Sequence, residues 1–214
     1  MADTHPHHGQ PLLAQGAPLE EAKAALIMIH GRGGAAQDIL SLVSYMDRPG
    51  FAYLAPQAAS NTWYPHSFLS PLASNQPYLD SALKRVGEVL AQVAEAGIPP
   101  GQTMLLGFSQ GACLATEYVA RHAQRYGSVA GLSGGLIGPD DAPRDYEGTL
   151  DGTPIFLGCS DVDFHIPKER VQHTTVVLRG LGAEVTERLY PNLGHTINQD
   201  EIDFVRGMMA ALVE

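Results

Sequence analysis

Cysteine is nearly absent from this 214-residue chain, which holds only Cys113 and Cys159. Two thiols without near neighbours at metal-ligand spacing exclude a disulfide scaffold and a zinc ribbon. Both lie in apolar runs, the expected setting of buried free thiols in a reducing, cytoplasmic compartment. No apolar run approaches the roughly 18 residues that a membrane-spanning helix needs, so membrane insertion is not expected. The N-terminal MADTHPHHGQPLL lacks the basic start and long apolar stretch of a secretory signal. Positive charge is scarce too: Lys+Arg number 13 against 23 Asp+Glu, a formal net charge of −10. A surface of that sign repels nucleic acid and anionic membranes. Neutral or cationic substrates are easier partners than polyanions. Internal repeats, low-complexity tracts and long linkers are also missing.

What is present is an ordinary globular composition, 44% hydrophobic and 17% charged, at a length that fits one domain with a full core. Residues 1–10, with His5, His7 and His8, read as a flexible polar segment rather than a metal tract. Short apolar runs then alternate with amphipathic stretches. Strands are expected at Ala24–His30, Phe51–Ala55, Thr103–Phe108, Ser128–Leu132, Pro154–Cys159 and Glu184–Leu189. Most lack polar alternation, so they should be buried on both faces of a mostly parallel sheet. Leu79, Leu83, Val86, Leu90 and Val93 step at helical spacing, and Gly97 can close that helix. Further helices are expected over 111–126, after Pro167, and after Asn198, where Glu201 completes a capping-box pattern. Alternation of this kind means α/β with helices on both faces. Ligands bind such sheets at the carboxyl ends of the strands.

Gly107-Phe108-Ser109-Gln110-Gly111 lies at such an end. It matches the G-x-S-x-G elbow, a sharp strand-to-helix turn that lifts a serine hydroxyl above the sheet. A serine attacks only if a base takes its proton. His195, in Gly194-His195-Thr196 after the last strand, stands in the loop where that base belongs. His122 falls within the nucleophile helix and His173 within a later one, while His165 lies beside the acid candidates. Asp161 and Asp163 both follow the fifth strand, and their spacing does not separate them. Acyl transfer also needs donors for the developing oxyanion. The backbone N–H groups of Gln110 and of Arg32, in His30-Gly31-Arg32-Gly33-Gly34, are the candidates. The glycine loop lacks the spacings of phosphate-binding motifs. Trp63, Tyr64, Phe68 and Leu69, after the second strand, and Leu136, after the fourth, are candidate walls of a substrate pocket.

Together these segments resemble the phospholipase/carboxylesterase family of α/β-hydrolases, which includes acyl-protein thioesterases. The resemblance rests on His30-Gly31-Arg32-Gly33, Gly107–Gly111, Asp163 before Ile166-Pro167, and Gly194-His195-Thr196-Ile197. It covers the chain from about Pro11 onward and is nearer to bacterial small-ester carboxylesterases. The family's catalytic aspartate stands in Asp-Pro-x-Val/Ile-Pro, which selects Asp163 here, although Phe164 replaces the usual proline. The resemblance implies an α/β-hydrolase fold without a large lid domain and no metal or organic cofactor. It also implies a small-molecule ester as substrate and a monomer or homodimer. Serine carboxylesterase activity is the expectation. Thioesterase or lysophospholipase activity with the same triad is the alternative, and a catalytically silent binding protein is the alternative of another class.

Overall fold

The computed structural model describes residues 5–213. The apolar runs become strands because aliphatic side chains on both faces can be covered from both sides. β1 (Leu12–Gly16), β2 (Ala24–Ile29), β3 (Phe51–Pro56), β4 (Thr103–Phe108), β5 (Ser128–Leu132), β6 (Pro154–Ser160) and β7 (Glu184–Tyr190) form one sheet. Its order is β1-β3-β2-β4-β5-β6-β7. Every neighbouring pair is parallel except β1 with β3.

The helices are α1 (Ala36–Leu40), α2 (Val43–Met46), α3 (Tyr78–Glu95), α4 (Gln110–Arg121), α5 (Lys168–Gly180) and α6 (Gln199–Ala210). Alternate strand residues feed two apolar layers, as the two-residue period of a strand requires. Ile27, Ile29 and Leu105 pack with Val86 of α3, Leu114 of α4 and Val171 of α5. Leu26, Met28 and Leu106 pack with Ile39 of α1, Met46 of α2 and Val205 of α6. None of the described helices is long and apolar enough to cross a membrane.

The chain leaves β2 to one side to make β3, then returns past β2 to make β4. That reversal opens a crevice beyond the carboxyl ends of β2 and β4, where Ile29 pairs with Gly107. Both the His30 loop and Ser109 emerge there.

Three features differ from expectation. β1 is a short antiparallel edge strand, half-buried at Leu12 and Leu13 and exposed beyond. It owes its existence to pairing with β3, which no local pattern shows. α4 ends at Arg121, so His122 is its C-cap, with its ring centroid 4.5 Å from that of Tyr118. The flexible segment expected over residues 1–10 is not what the described part of it forms. His7 is fully buried. Its backbone N–H donates to Ser81 Oγ (3.0 Å), its Nε2 bonds the Trp63 carbonyl (2.9 Å), and its Nδ1 accepts the Ala59 N–H (3.0 Å). An imidazole offers a donor, an acceptor and an apolar ring at once, so it can fill a core slot from a polar run. Residues 1–4 lie outside the described residues.

Candidate active site

Ser109 alone turns the chain from β4 into α4. It does so at φ 54° and ψ −118°, a strained conformation for a non-glycine residue. The flanking glycines make the turn possible. A Cβ on Gly107 would collide with the backbone of Gly111, and one on Gly111 with the carbonyl of Ile29. The N–H of Gln110, in the first turn of α4, has no intrahelical acceptor and faces the positive end of the helix dipole.

His195 follows β7, after Gly194 at φ +79°. Its Nε2 lies 2.9 Å from Ser109 Oγ and its Nδ1 lies 2.7 Å from Asp163 Oδ2. With Nδ1–H donating to the carboxylate, Nε2 is left to accept the serine proton. The loop is held from beneath: Gly194 N–H donates to Ser160 Oγ (3.1 Å) and Asn192 N–H to Asp161 Oδ1 (2.8 Å). The two aspartates are thereby told apart. Asp163 faces the imidazole, whereas Asp161 braces the loop that carries it.

Asp163 Oδ1 accepts the N–H groups of His165 (2.8 Å) and Ile166 (3.1 Å). Burial works to raise its pKa, but the bonds from His195 and these two N–H groups outweigh it and hold the carboxyl below its ordinary range. Phe164, in place of the family's proline, points outward and is 81% exposed. The aspartate keeps its bonds despite that replacement.

The glycine loop lies against Ser109. A Cβ on Gly31 would stand 3.3 Å from Ser109 Cβ, so glycine allows the close approach. The Arg32 backbone lies next to it, on the same cavity as Ser109 and Gln110. Gly33 N–H donates to Asn61 O (2.7 Å), tying this loop to the segment after β3. The buried Gln110 side chain ties that segment again: its Oε1 accepts Trp63 N–H (2.8 Å) and its Nε2–H donates to Tyr64 O (2.8 Å). His30 adds a third link, with Nδ1 on Gly31 O (2.8 Å) and Nε2 accepting Ala58 N–H (3.1 Å). Burial lowers the pKa of both His30 and His7, so both stay neutral donor–acceptor bridges near pH 7.

A cavity of about 420 Å³ opens above Ser109. Of the candidate wall residues, Tyr64 and Phe68 line it and Trp63, Leu69 and Leu136 do not. Trp63 is buried beneath the loop, its Nε1–H donating to His30 O (2.9 Å). Leu136 belongs to the core, its N–H donating to Thr174 Oγ1 and its carbonyl accepting from Arg170. Leu69 is half-buried against the same core. Their sequence position promised a rim, but the loops fold them inward. His66, Phe108 and His165 are walls that the motifs did not single out. His165 and Phe108 flank His195, with ring centroids 4.8 and 5.1 Å from its own. Cys113 also lines the cavity; burial pushes its thiol up to about 12, so it stays protonated. Among the described residues, no three His, Cys, Asp or Glu side chains gather in a way that could hold a metal ion.

A seven-stranded, mostly parallel sheet with a serine on a strained strand-to-helix turn defines the α/β-hydrolase class. The family model described as phospholipase/carboxylesterase matches residues 15–213, and the chain belongs to that family. A phospholipase/carboxylesterase from Dyadobacter fermentans, known from its crystal structure, is 44% identical with a TM-score of 0.91, over 95% of this chain and 97% of that one. Acyl-protein thioesterase 1 of Gibberella zeae is 28% identical over 130 residues, 56% of this chain and 52% of its own length. The chain thus spans about half the length of that relative. A probable carboxylesterase of Arabidopsis thaliana, SOBER1-like, is 24% identical over 88% of this chain and 78% of its own length.

Proposed function

We propose that this protein is a serine carboxylesterase that hydrolyses short-chain or aryl carboxylic esters through an acyl-enzyme on Ser109. The observation that carries the reading is the relay from Ser109 Oγ to His195 at 2.9 Å and from His195 to Asp163 at 2.7 Å. His195 takes the serine proton as Oγ attacks the ester carbonyl. The N–H groups of Gln110 and Arg32 receive the oxyanion. His195 then protonates the leaving alcohol, and water attacks the acyl-enzyme by the same route in reverse. Asp163 holds the tautomer and offsets the imidazolium charge. A cavity of about 420 Å³ is at the small end for ligand sites, which favours a short acyl or an aryl group over a long chain. Two free, buried cysteines fit a cytoplasmic location. Kinship with an acyl-protein thioesterase supports thioesters as the second reading.

The test is hydrolysis of p-nitrophenyl esters from acetate to decanoate, with and without Ser109→Ala. Activity is expected to peak at the short esters and to fall on the order of 10³-fold or more in the variant. A fluorophosphonate should label Ser109. If Ser109→Ala keeps most of the activity, the reading is wrong.

A further inference from the structure

We propose that the cavity takes esters bearing a carboxylate, which the guanidinium of Arg32 holds beside the reacting ester group. The proposal rests on the esterase reading for its chemistry but not for its binding step.

The charge of the cavity opposes that of the molecule. The chain carries 23 Asp+Glu and a net charge of −10. Yet among the described residues no Asp or Glu lines the cavity above Ser109; its ionisable walls are Arg32, His66, His165, His195 and the neutral Cys113 and Tyr64. The one permanent charge there is positive.

That charge has no counter-ion among the described residues. Arg32 Nη1 donates to Thr62 Oγ1 (3.2 Å) and Pro65 O (2.8 Å), and Nη2 donates to His66 O (2.6 Å). All three acceptors are neutral. Six other arginines pair with a carboxylate, among them Arg170 with Asp140 and Arg121 with Glu117, each at 2.6 Å. Arg125 and Arg179, like Arg32, donate to backbone carbonyls, but neither of them lines the cavity. The three bonds fix the plane of the group. They account for three of its five N–H donors. Nε–H and one N–H of Nη2 have no acceptor among the described residues. A carboxylate accepts charge-assisted hydrogen bonds from such guanidinium donors.

Position selects the ligand. The backbone of Arg32 belongs to the proposed oxyanion site, and its guanidinium, held on Thr62, Pro65 and His66, belongs to a residue that lines the same cavity as Ser109. Arg32 is exposed, so an incoming carboxylate need not bury an ion to meet it. A single carboxylate also suffers less from the acidic surface than a polyanion would. The arrangement fits a small half-ester of a dicarboxylic acid, or an acyl ester of a hydroxy acid.

The experiment compares matched esters in a pH-stat. Monomethyl glutarate is set against methyl pentanoate for a carboxylate on the acyl side. Acetoxyacetate is set against propyl acetate for one on the alcohol side. In wild type and Arg32→Gln, kcat/KM is measured for each. Arg32 also anchors its loop, so a loss common to both members of a pair reports loop displacement. The charged-to-neutral ratio isolates the guanidinium. We expect that ratio to fall at least tenfold in Arg32→Gln for one pair, through KM, with partial recovery in Arg32→Lys. An unchanged ratio in both pairs overturns the proposal. Calorimetry with glutarate and with acetoxyacetate on Ser109→Ala separates it from the esterase reading. Binding of either that disappears in Ser109→Ala/Arg32→Gln sustains the carboxylate site even if no ester is hydrolysed. Absence of binding of both to Ser109→Ala overturns it.

Discussion

Asp161 and Asp163 stand two residues apart on one loop and carry different loads. Asp163 meets the imidazole at 2.7 Å, and Asp161 meets the backbone of Asn192 at 2.8 Å. In Asp163→Asn the amide offers a donor or a weaker acceptor to Nδ1 and favours the wrong tautomer. A fall in kcat of about 10⁴-fold is expected, by analogy with the effect in serine proteases. Asp161→Asn keeps an oxygen for the Asn192 N–H, so kcat should fall by less than about tenfold, since one bracing bond weakens by about 1 kcal/mol. Steady-state kinetics on p-nitrophenyl acetate decide it; the opposite ranking would reassign the acid. The residue types and their chain order were legible beforehand. The choice between the aspartates was not readable from spacing, because it depends on which carboxylate the loop turns toward His195.

Among the elements, α6 shows how a local signal supports a distant site. Asn198 Oδ1 accepts the Glu201 N–H at 2.9 Å, and Glu201 Oε2 accepts the Asn198 N–H at 2.8 Å. This reciprocal cap, on the N-cap residue three positions after His195, anchors one end of the loop that carries His195. Asn198→Ala removes half of it and should cost about 1 kcal/mol. A thermal melt should show Tm lowered by about 2–4 °C, the scale for a domain of this size; an unchanged Tm would mean that the cap contributes nothing. The capping pattern was visible as Asn198 and Glu201 because caps are local in sequence. β1, α1 and α2 were not visible: five, five and four residues are too short for any period to stand out.

For the molecule as a whole, His7 acts as a strap between two distant segments. His7 spans from Ser81 on α3 to Ala59 and Trp63 on the loop behind the site. His30 binds the same loop from the other side at Ala58. Protonation of either ring would set an N–H against a backbone N–H. Burial is the main cause of the lowered pKa of both; Arg85 and His30 add to it at His7, and Asp38 opposes it at His30. The sign follows: below the ordinary value of 6.5 the unfolded histidines bind protons first. Their contribution to stability is full above that pH and declines as pH falls beneath it. Tm should therefore drop between pH 7.5 and 5.5, and His7→Asn, which cannot gain the charge, should drop less. Equal pH slopes for the two proteins would remove His7 as a cause.

By itself the sequence determined the class of fold, the candidate nucleophile, the candidate base and the glycines around them. Those features depend on period, on turn chemistry and on strand–helix order, all of which are local. Only the tertiary structure decided what else meets across the chain: Asp161 against the Asn192 backbone, His7 against the Trp63 carbonyl, and Trp63 and Leu136 turned into the core rather than the cavity. It also decided that an acidic molecule sets Arg32, without a counter-ion among the described residues, on the cavity that Ser109 lines. Net charge is a sum over residues, whereas the charge of a cavity depends on which few side chains the loops turn toward it.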